Sequence, residues 1–192
     1  MDERHLYKVD PMKMSNQELI ADLVERTEAN MKIAEMLKTK SDDQLNQKKT
    51  DQSWSALECI EHLNRYGDFY LPEIKAQFIS AAKVPESTIF KSGVIGNYFA
   101  KSLQPQGKKN KMKTFTTMNP LGSKLVVSTI DTFIQQQLEI IELLERSRLV
   151  DLRRTKTKIS ISKVIKLRLG DTFRVVIYHN QRHLQQAERA LV

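Results

Sequence analysis

Residues 54–63 read Trp54-Ser55-Ala56-Leu57-Glu58-Cys59-Ile60-Glu61-His62-Leu63. Ser55 and Glu58 stand three apart, the spacing of a capping box, in which serine and glutamate satisfy each other's orphan amides at a helix start. Trp54 precedes the box, where a hydrophobic staple sits. Leu57, Ile60, Leu63, Leu71, Ile74 and Phe78 then recur at helical intervals. The pattern predicts a helix from 53 to about 82. Pro72 lies inside it and predicts a kink, because proline removes an amide donor and crowds the preceding turn.

Working outward, Ser15-Asn16-Gln17-Glu18 is a second capping box. Leu19, Leu23, Thr27, Met31, Ala34 and Leu37 follow it and predict a first helix over 16–39. Residues 40–52 are polar and read as a loop or frayed helix end. On the other side, residues 83–122 carry Pro85, Gly93, Gly96, Pro105, Gly107, Pro120 and Gly122, so they read as a long connection with a short helix near Ile89–Leu103. Val127, Ile130, Ile134, Leu138, Ile141 and Leu144 predict a third long helix over 123–148. Ile159, Ile161 and Val164 alternate with polar residues, which predicts an extended piece within 149–169. Asp171 is the expected N-cap of a last helix over 172–190. Four long helices with one long crossover between the second and third predict an all-α, four-helix bundle. The 192 residues suit a single domain spanning 1–192, with 1–14 as an N-terminal extension.

Composition narrows the setting. No apolar run approaches the ~20 residues of a membrane helix, and the charged start, Met1-Asp2-Glu3-Arg4-His5, is unlike a secretory signal. Cys59 is the single cysteine, which excludes a disulfide within the chain and fits a reducing, cytoplasmic setting. The net charge of +8 is concentrated in 146–168, where nine basic residues face only Asp151. Arg153, Arg154, Lys166 and Arg168 are the candidate anion-binding residues there, and Lys108, Lys109, Lys111 and Lys113 form a second cluster. No helix-turn-helix is visible and the basic residues lack interleaved aromatics, so nucleic acid is not the expected partner. A non-catalytic binding protein that uses the basic segment is the alternative reading.

Histidine placement carries the chemistry. His179-Asn180-Gln181-Arg182-His183 puts two imidazoles one turn apart on one helix face, flanked by Val176 and Ala187. His62 stands on the second helix among Cys59, Leu63 and Tyr66. His5, in the polar extension, is expected to be inert. Three imidazoles from facing helices suit one divalent ion with one coordination position left open.

The 54–63 segment, together with Leu169-Gly170-Asp171-Thr172-Phe173 and His179 to Arg189, resembles the DinB-like superfamily. That superfamily includes YfiT-type metal-dependent hydrolases and bacillithiol S-transferases. The resemblance implies an up-down-down-up four-helix bundle and a metal triad of His62, His179 and His183. It implies a divalent ion, zinc or nickel first, and a small-molecule substrate or a low-molecular-weight thiol; a homodimer is the default expected of such a bundle. The ion would lower the pKa of that thiol or of a water, giving an S-transferase or a hydrolase. Catalytic candidates are Glu58, which also has its capping role, and Tyr66, one turn beyond His62. Gln186, three residues past His183, is the expected outer partner of that ring. Cys59 reads as a buried thiol, and Glu61 and Asp68 are expected to face water.

Overall fold

The computed structural model describes residues 12–104 and 114–191. His5, most of the expected N-terminal extension and the Lys108, Lys109, Lys111 and Lys113 cluster lie outside them. The described chain is mostly helical, with two small antiparallel sheets. The first strand, β1 (Lys13–Ser15), leads into α1 (Asn16–Lys38), and a short α2 (Asp42–Asn46) precedes α3 (Ala56–Gln77). Within the long connection lie β2 (Ile89–Lys91) and α4 (Val94–Leu103). Next come α5 (Ser128–Arg146), the hairpin strands β3 (Lys156–Ile159) and β4 (Ser162–Arg168), and α6 (Leu169–Ala190).

Both expected capping boxes are present: Ser15 with Glu18 opens α1, and Ser55 with Glu58 opens α3. A third, Ser41 with Gln44, starts α2 inside the stretch expected to be loop. One apolar side chain explains it: Leu45 is fully buried, and a single turn of helix is enough to seat it. Pro72 lies inside α3, which continues to Gln77.

The four long helices pack through α1 against α5 and α6, and through α3 against the same two. Named contacts give their directions. Asn64 of α3 donates to the Thr129 carbonyl at 2.9 Å, Gln136 of α5 donates to Asp68 at 2.9 Å, and Lys75 pairs with Glu139 at 2.6 Å, so α3 and α5 run the same way. At one end Lys38 pairs with Asp131 at 2.5 Å; at the other the Asn16 amide donates to the Val150 carbonyl at 3.0 Å, so α1 runs against α5. Gly67 marks a close approach, since a Cβ there would overlap the Gln136 amide. One apolar cluster gathers Leu19, Leu23, Ile74, Ile140 and Phe173; another gathers Leu37, Leu57, Ile60, Phe133 and Leu184.

Two expectations change. The extended piece is a full hairpin, pairing Lys156 with Arg168 and Lys158 with Lys166. Asp171 is not an N-cap, because α6 begins at Leu169 directly from β4. The first amides of α6 are satisfied by other carbonyls, Leu169 donating to Thr155 at 2.9 Å and Gly170 to Leu152 at 3.2 Å. Asp171 instead turns inward, accepting from the Ser92 hydroxyl, the Gly93 amide at 2.7 Å and Arg174 at 3.1 Å. This fully buried pair fastens the start of α4 to α6. No helix among the described residues is long and apolar enough to cross a membrane.

Candidate metal centre

The helices α3 and α6 meet in opposite directions, and their aromatic rings record it. The His62 ring lies 4.7 Å from that of His183 and 5.1 Å from that of His179, while Tyr66, one turn further along α3, lies 4.6 Å from His179. Trp54, just before the Ser55 cap, packs at 4.6 Å on His62 and 5.7 Å on His183. The capping box opens α3 two turns before His62.

The three imidazoles converge. Each offers one nitrogen within 4.8 Å of the others, and the His62 Nε2 to His179 Nε2 distance is 3.3 Å. Two nitrogens bound at 2.0–2.1 Å to one tetrahedral ion would stand about 3.3 Å apart, so this spacing fits a shared ion. Among the described residues this is the one group of three or more His, Cys, Asp or Glu placed to share an ion.

Outer contacts orient two of the rings. The Nδ1–H of His62 donates to the Met118 carbonyl at 2.7 Å, leaving its Nε2 lone pair facing His179. The Nδ1–H of His183 donates to the Gln186 side-chain carbonyl at 3.0 Å, which frees its Nε2 in the same manner. Gln186 thus stands where its spacing predicted. Met118 lies in a helical turn at Thr116–Met118, inside the segment expected to be featureless connection.

Burial keeps these rings neutral. His62 is 2% exposed, and desolvation lowers its pKa to about 4 despite the opposing pull of the Met118 carbonyl. Burial lowers His183 to about 3, aided by His62 and Arg182, while the hydrogen bond to Gln186 acts the other way. His179 is lowered by burial first and by the two neighbouring imidazoles next. Neutral imidazole is the form that binds a metal ion.

The cluster opens into a cavity of about 750 Å³. Tyr66 lines it, and burial raises the pKa of its phenol against the opposing hydrogen bond from Ser160, so the hydroxyl stays protonated. Glu58 is fully buried and does not line the cavity. Its carboxylate accepts from the Ser55 amide at 2.9 Å, the Gly122 amide at 2.6 Å and Lys48 at 2.6 Å, which accounts for it as a cap and loop anchor. Cys59 is buried, and desolvation pushes its thiol up to about 12. Asp68 is exposed, whereas Glu61 is half-buried and pairs with Arg65 at 2.9 Å.

None of Arg153, Arg154, Lys166 and Arg168 lines the cavity. Lys166 faces outward on β4, Arg154 pairs with Asp151 at 3.7 Å, and Arg168 donates to the Lys91 carbonyl. The cations that do line it are Lys49, Arg182 and Arg189. Of these, Arg182 and Arg189 were within reach of sequence reading, since they stand one before His183 and six after it on the same helix. Lys49 and the Met118 carbonyl carried no such signal.

Comparison with known proteins gives one family. The model of the DinB superfamily matches residues 24–187. No curated protein and no solved structure matches.

Proposed function

The chain belongs to the DinB superfamily, and from that premise we propose that it is a metal-dependent enzyme, a thiol S-transferase or a hydrolase. His62, His179 and His183 would hold one divalent ion, zinc or nickel. The observation that carries this reading is the convergence of three neutral imidazole nitrogens, two of them aimed by outer hydrogen bonds, at the wall of a large cavity. When bound, the ion supplies Lewis acidity, lowering the pKa of a thiol or water placed in the open position.

The chain's own residues divide the remaining work. Met118 and Gln186 hold two rings in the tautomer that presents Nε2. Trp54 covers His62 and His183 and narrows water access. Tyr66 places a protonated hydroxyl-bearing ring beside His62 and His179, where it can donate to a leaving group or developing anion. We assign the catalytic donor to Tyr66 rather than Glu58.

The four long helices form a bundle of the up-down-down-up kind in this reading. Support comes from α3 and α5 running together, with α1 opposed to α5 and α6 opposed to α3. The bundle is one domain and pairs as a homodimer.

Elemental analysis of untagged protein tests the reading, together with a screen that pairs low-molecular-weight thiols with electrophiles and includes ester and amide substrates. Stoichiometric metal, activity lost on chelation and the same loss in His183→Ala are expected. Metal-free protein that stays empty after zinc or nickel is supplied would end it.

A second reading rests on the hairpin. Its register sets Lys156 opposite Arg168 and Lys158 opposite Lys166, and like charges directly opposite destabilise a strand pair unless an anion lies between. Binding of an anionic partner there would be salt-dependent; a nucleic-acid titration at two salt concentrations separates it from the metal chemistry.

A further inference from the structure

The cavity at the metal centre has two unlike ends, and α6 measures the distance between them. Val175 and Val176 line it about one turn before His179; Ile159, Ile161, Leu167 and Phe99 complete that end, whose hydroxyls, those of Tyr70 and Ser160, are hydrogen-bonded to each other at 3.4 Å. Beyond His183, six residues or ~9 Å along the helix, stands Arg189, with Lys49 also on the lining. Arg182 lies between, its guanidinium donating to the Ser102 carbonyl at 3.0 Å. Among the described residues the lining contains these three cations and no aspartate or glutamate. The side chains of Lys49 and Arg189 make no ion pair among the described residues, although the chain forms ion pairs elsewhere along its helices.

A site with cations at one end, apolar walls at the other and the histidines between favours a ligand of matching polarity. We infer that the cavity takes an amphiphilic anion, a carboxylate or similar head joined to a hydrocarbon or aryl portion. This rests on the reading of the cavity as the substrate site of the metal centre. The head sits toward Arg189 and Lys49, and the apolar portion packs between the β3–β4 hairpin, α4 and the valines of α6. Helical side chains lean toward the N-terminus of their helix, so the Arg189 guanidinium reaches back toward the histidines. The span left from there to Val176 is ~10–12 Å at 1.5 Å per residue, the length of a medium-chain fatty acid. The bland account of the apolar end is unfilled core. Against it, an apolar-walled space of this size, continuous with polar groups, has the form of a ligand site.

Trp54 is the only tryptophan and lines the cavity, so its emission reports occupancy without any assay of activity. The test titrates decanoate into the chelator-treated full chain and repeats it with butanoate, which keeps the head, and decyltrimethylammonium, which keeps the tail and reverses the charge. Decanoate should give saturable binding, with the other two at least about tenfold weaker, a difference of about 1.4 kcal/mol. Arg189→Glu and Ile161→Asp should each weaken decanoate by a similar factor. Arg189 is exposed, so Arg189→Glu should keep the thermal midpoint of the unaltered chain; Ile161 is half-buried against the core, so its variant is compared with the parent only after circular dichroism shows the helices intact. Equal binding of butanoate or of decyltrimethylammonium, or no binding of decanoate, overturns the inference. Because the probe is read without metal, a chain that binds decanoate but no zinc refutes the metal reading alone. A chain that binds zinc but not decanoate refutes only this one.

Discussion

Gln186→Leu isolates what an outer contact contributes to the metal centre. The Gln186 carbonyl accepts the Nδ1–H of His183 at 3.0 Å, and no other acceptor for that nitrogen is found among the described residues. Leucine keeps much of the volume and removes the acceptor. Two independent estimates give the magnitude. Losing an outer partner of a ligating histidine weakens metal binding by about 10–100-fold. Leaving a partly buried N–H without an acceptor costs about 1–3 kcal/mol, which at 1.4 kcal/mol per decade covers nearly the same range. Zinc affinity measured by competition with a chelator should therefore fall by one to two decades. Gln186→Glu keeps an acceptor, makes the ring more basic and should bind zinc at least as tightly as the unaltered chain. The metal-free thermal midpoint should barely move in either variant, because without a metal the His183 ring can take its other tautomer and leave Nδ1 bare, so the cost falls on the metal-bound form. If Gln186→Leu binds zinc within about threefold of the parent, the hydrogen bond does not orient the ring and the role given to Gln186 is wrong.

Three further outcomes follow from buried groups. Asp171→Ala strands the Arg174 guanidinium, 2% exposed by side chain, without its carboxylate; urea unfolding should show a loss of about 3–5 kcal/mol, and a loss under about 1 kcal/mol would contradict the clamp between α4 and α6. The metal-free chain should lose stability as pH falls from 7 to 4, because the unfolded chain protonates His62 near its ordinary pKa of about 6.5 while the folded one does so only near 4. Full development of that difference is about 3 kcal/mol for His62, and a pH series of urea midpoints that stays flat would contradict its neutral burial. The Cys59 thiol, pushed up to about 12 by burial, should react with a disulfide reagent only at the rate of unfolding; fast labelling of native protein would show that α3 opens there.

The helices were legible because their signals are local. Ser15 with Glu18 and Ser55 with Glu58 declare their helix starts within four residues, and the apolar stripes behind them need no tertiary knowledge. His179 and His183 were legible for the same reason, since a spacing of four puts two rings on one face. The start of α6 was misread, because Asp171 has the residue type of a cap while its partners, Ser92, Gly93 and Arg174, are supplied by packing. Charge misled in a related way. The basic segment was conspicuous in sequence, yet Arg153, Arg154, Lys156, Lys158 and Lys166 are exposed, and what the segment gives the cavity is Ile159, Ser160, Ile161 and Leu167. In a strand, alternate residues belong to opposite faces, so a run of charge says nothing about the residues between.

The long connection is the part whose role sequence conceals most, and it contributes through its backbone. The Met118 carbonyl fixes the tautomer of His62, and any residue type presents a carbonyl. Asn119 holds the Trp54 indole N–H at 3.1 Å, and the carbonyls of Thr117 and Asn119 accept from Arg65 at 3.4 and 3.0 Å. The segment from Thr116 to Asn119 is thus tied to His62 and Arg65 of α3 and to Trp54 just before it. His183, by contrast, is oriented from within its own helix by Gln186. One imidazole therefore depends on a loop and another on helix geometry alone. Arg65→Lys keeps the positive charge that acts on His62 but loses the guanidinium that bridges the Thr117 and Asn119 carbonyls, and should weaken zinc binding, read by chelator competition, through His62. Because both rings serve one ion, the double variant with Gln186→Leu should depart from the product of the two single losses, which a double-mutant cycle measures.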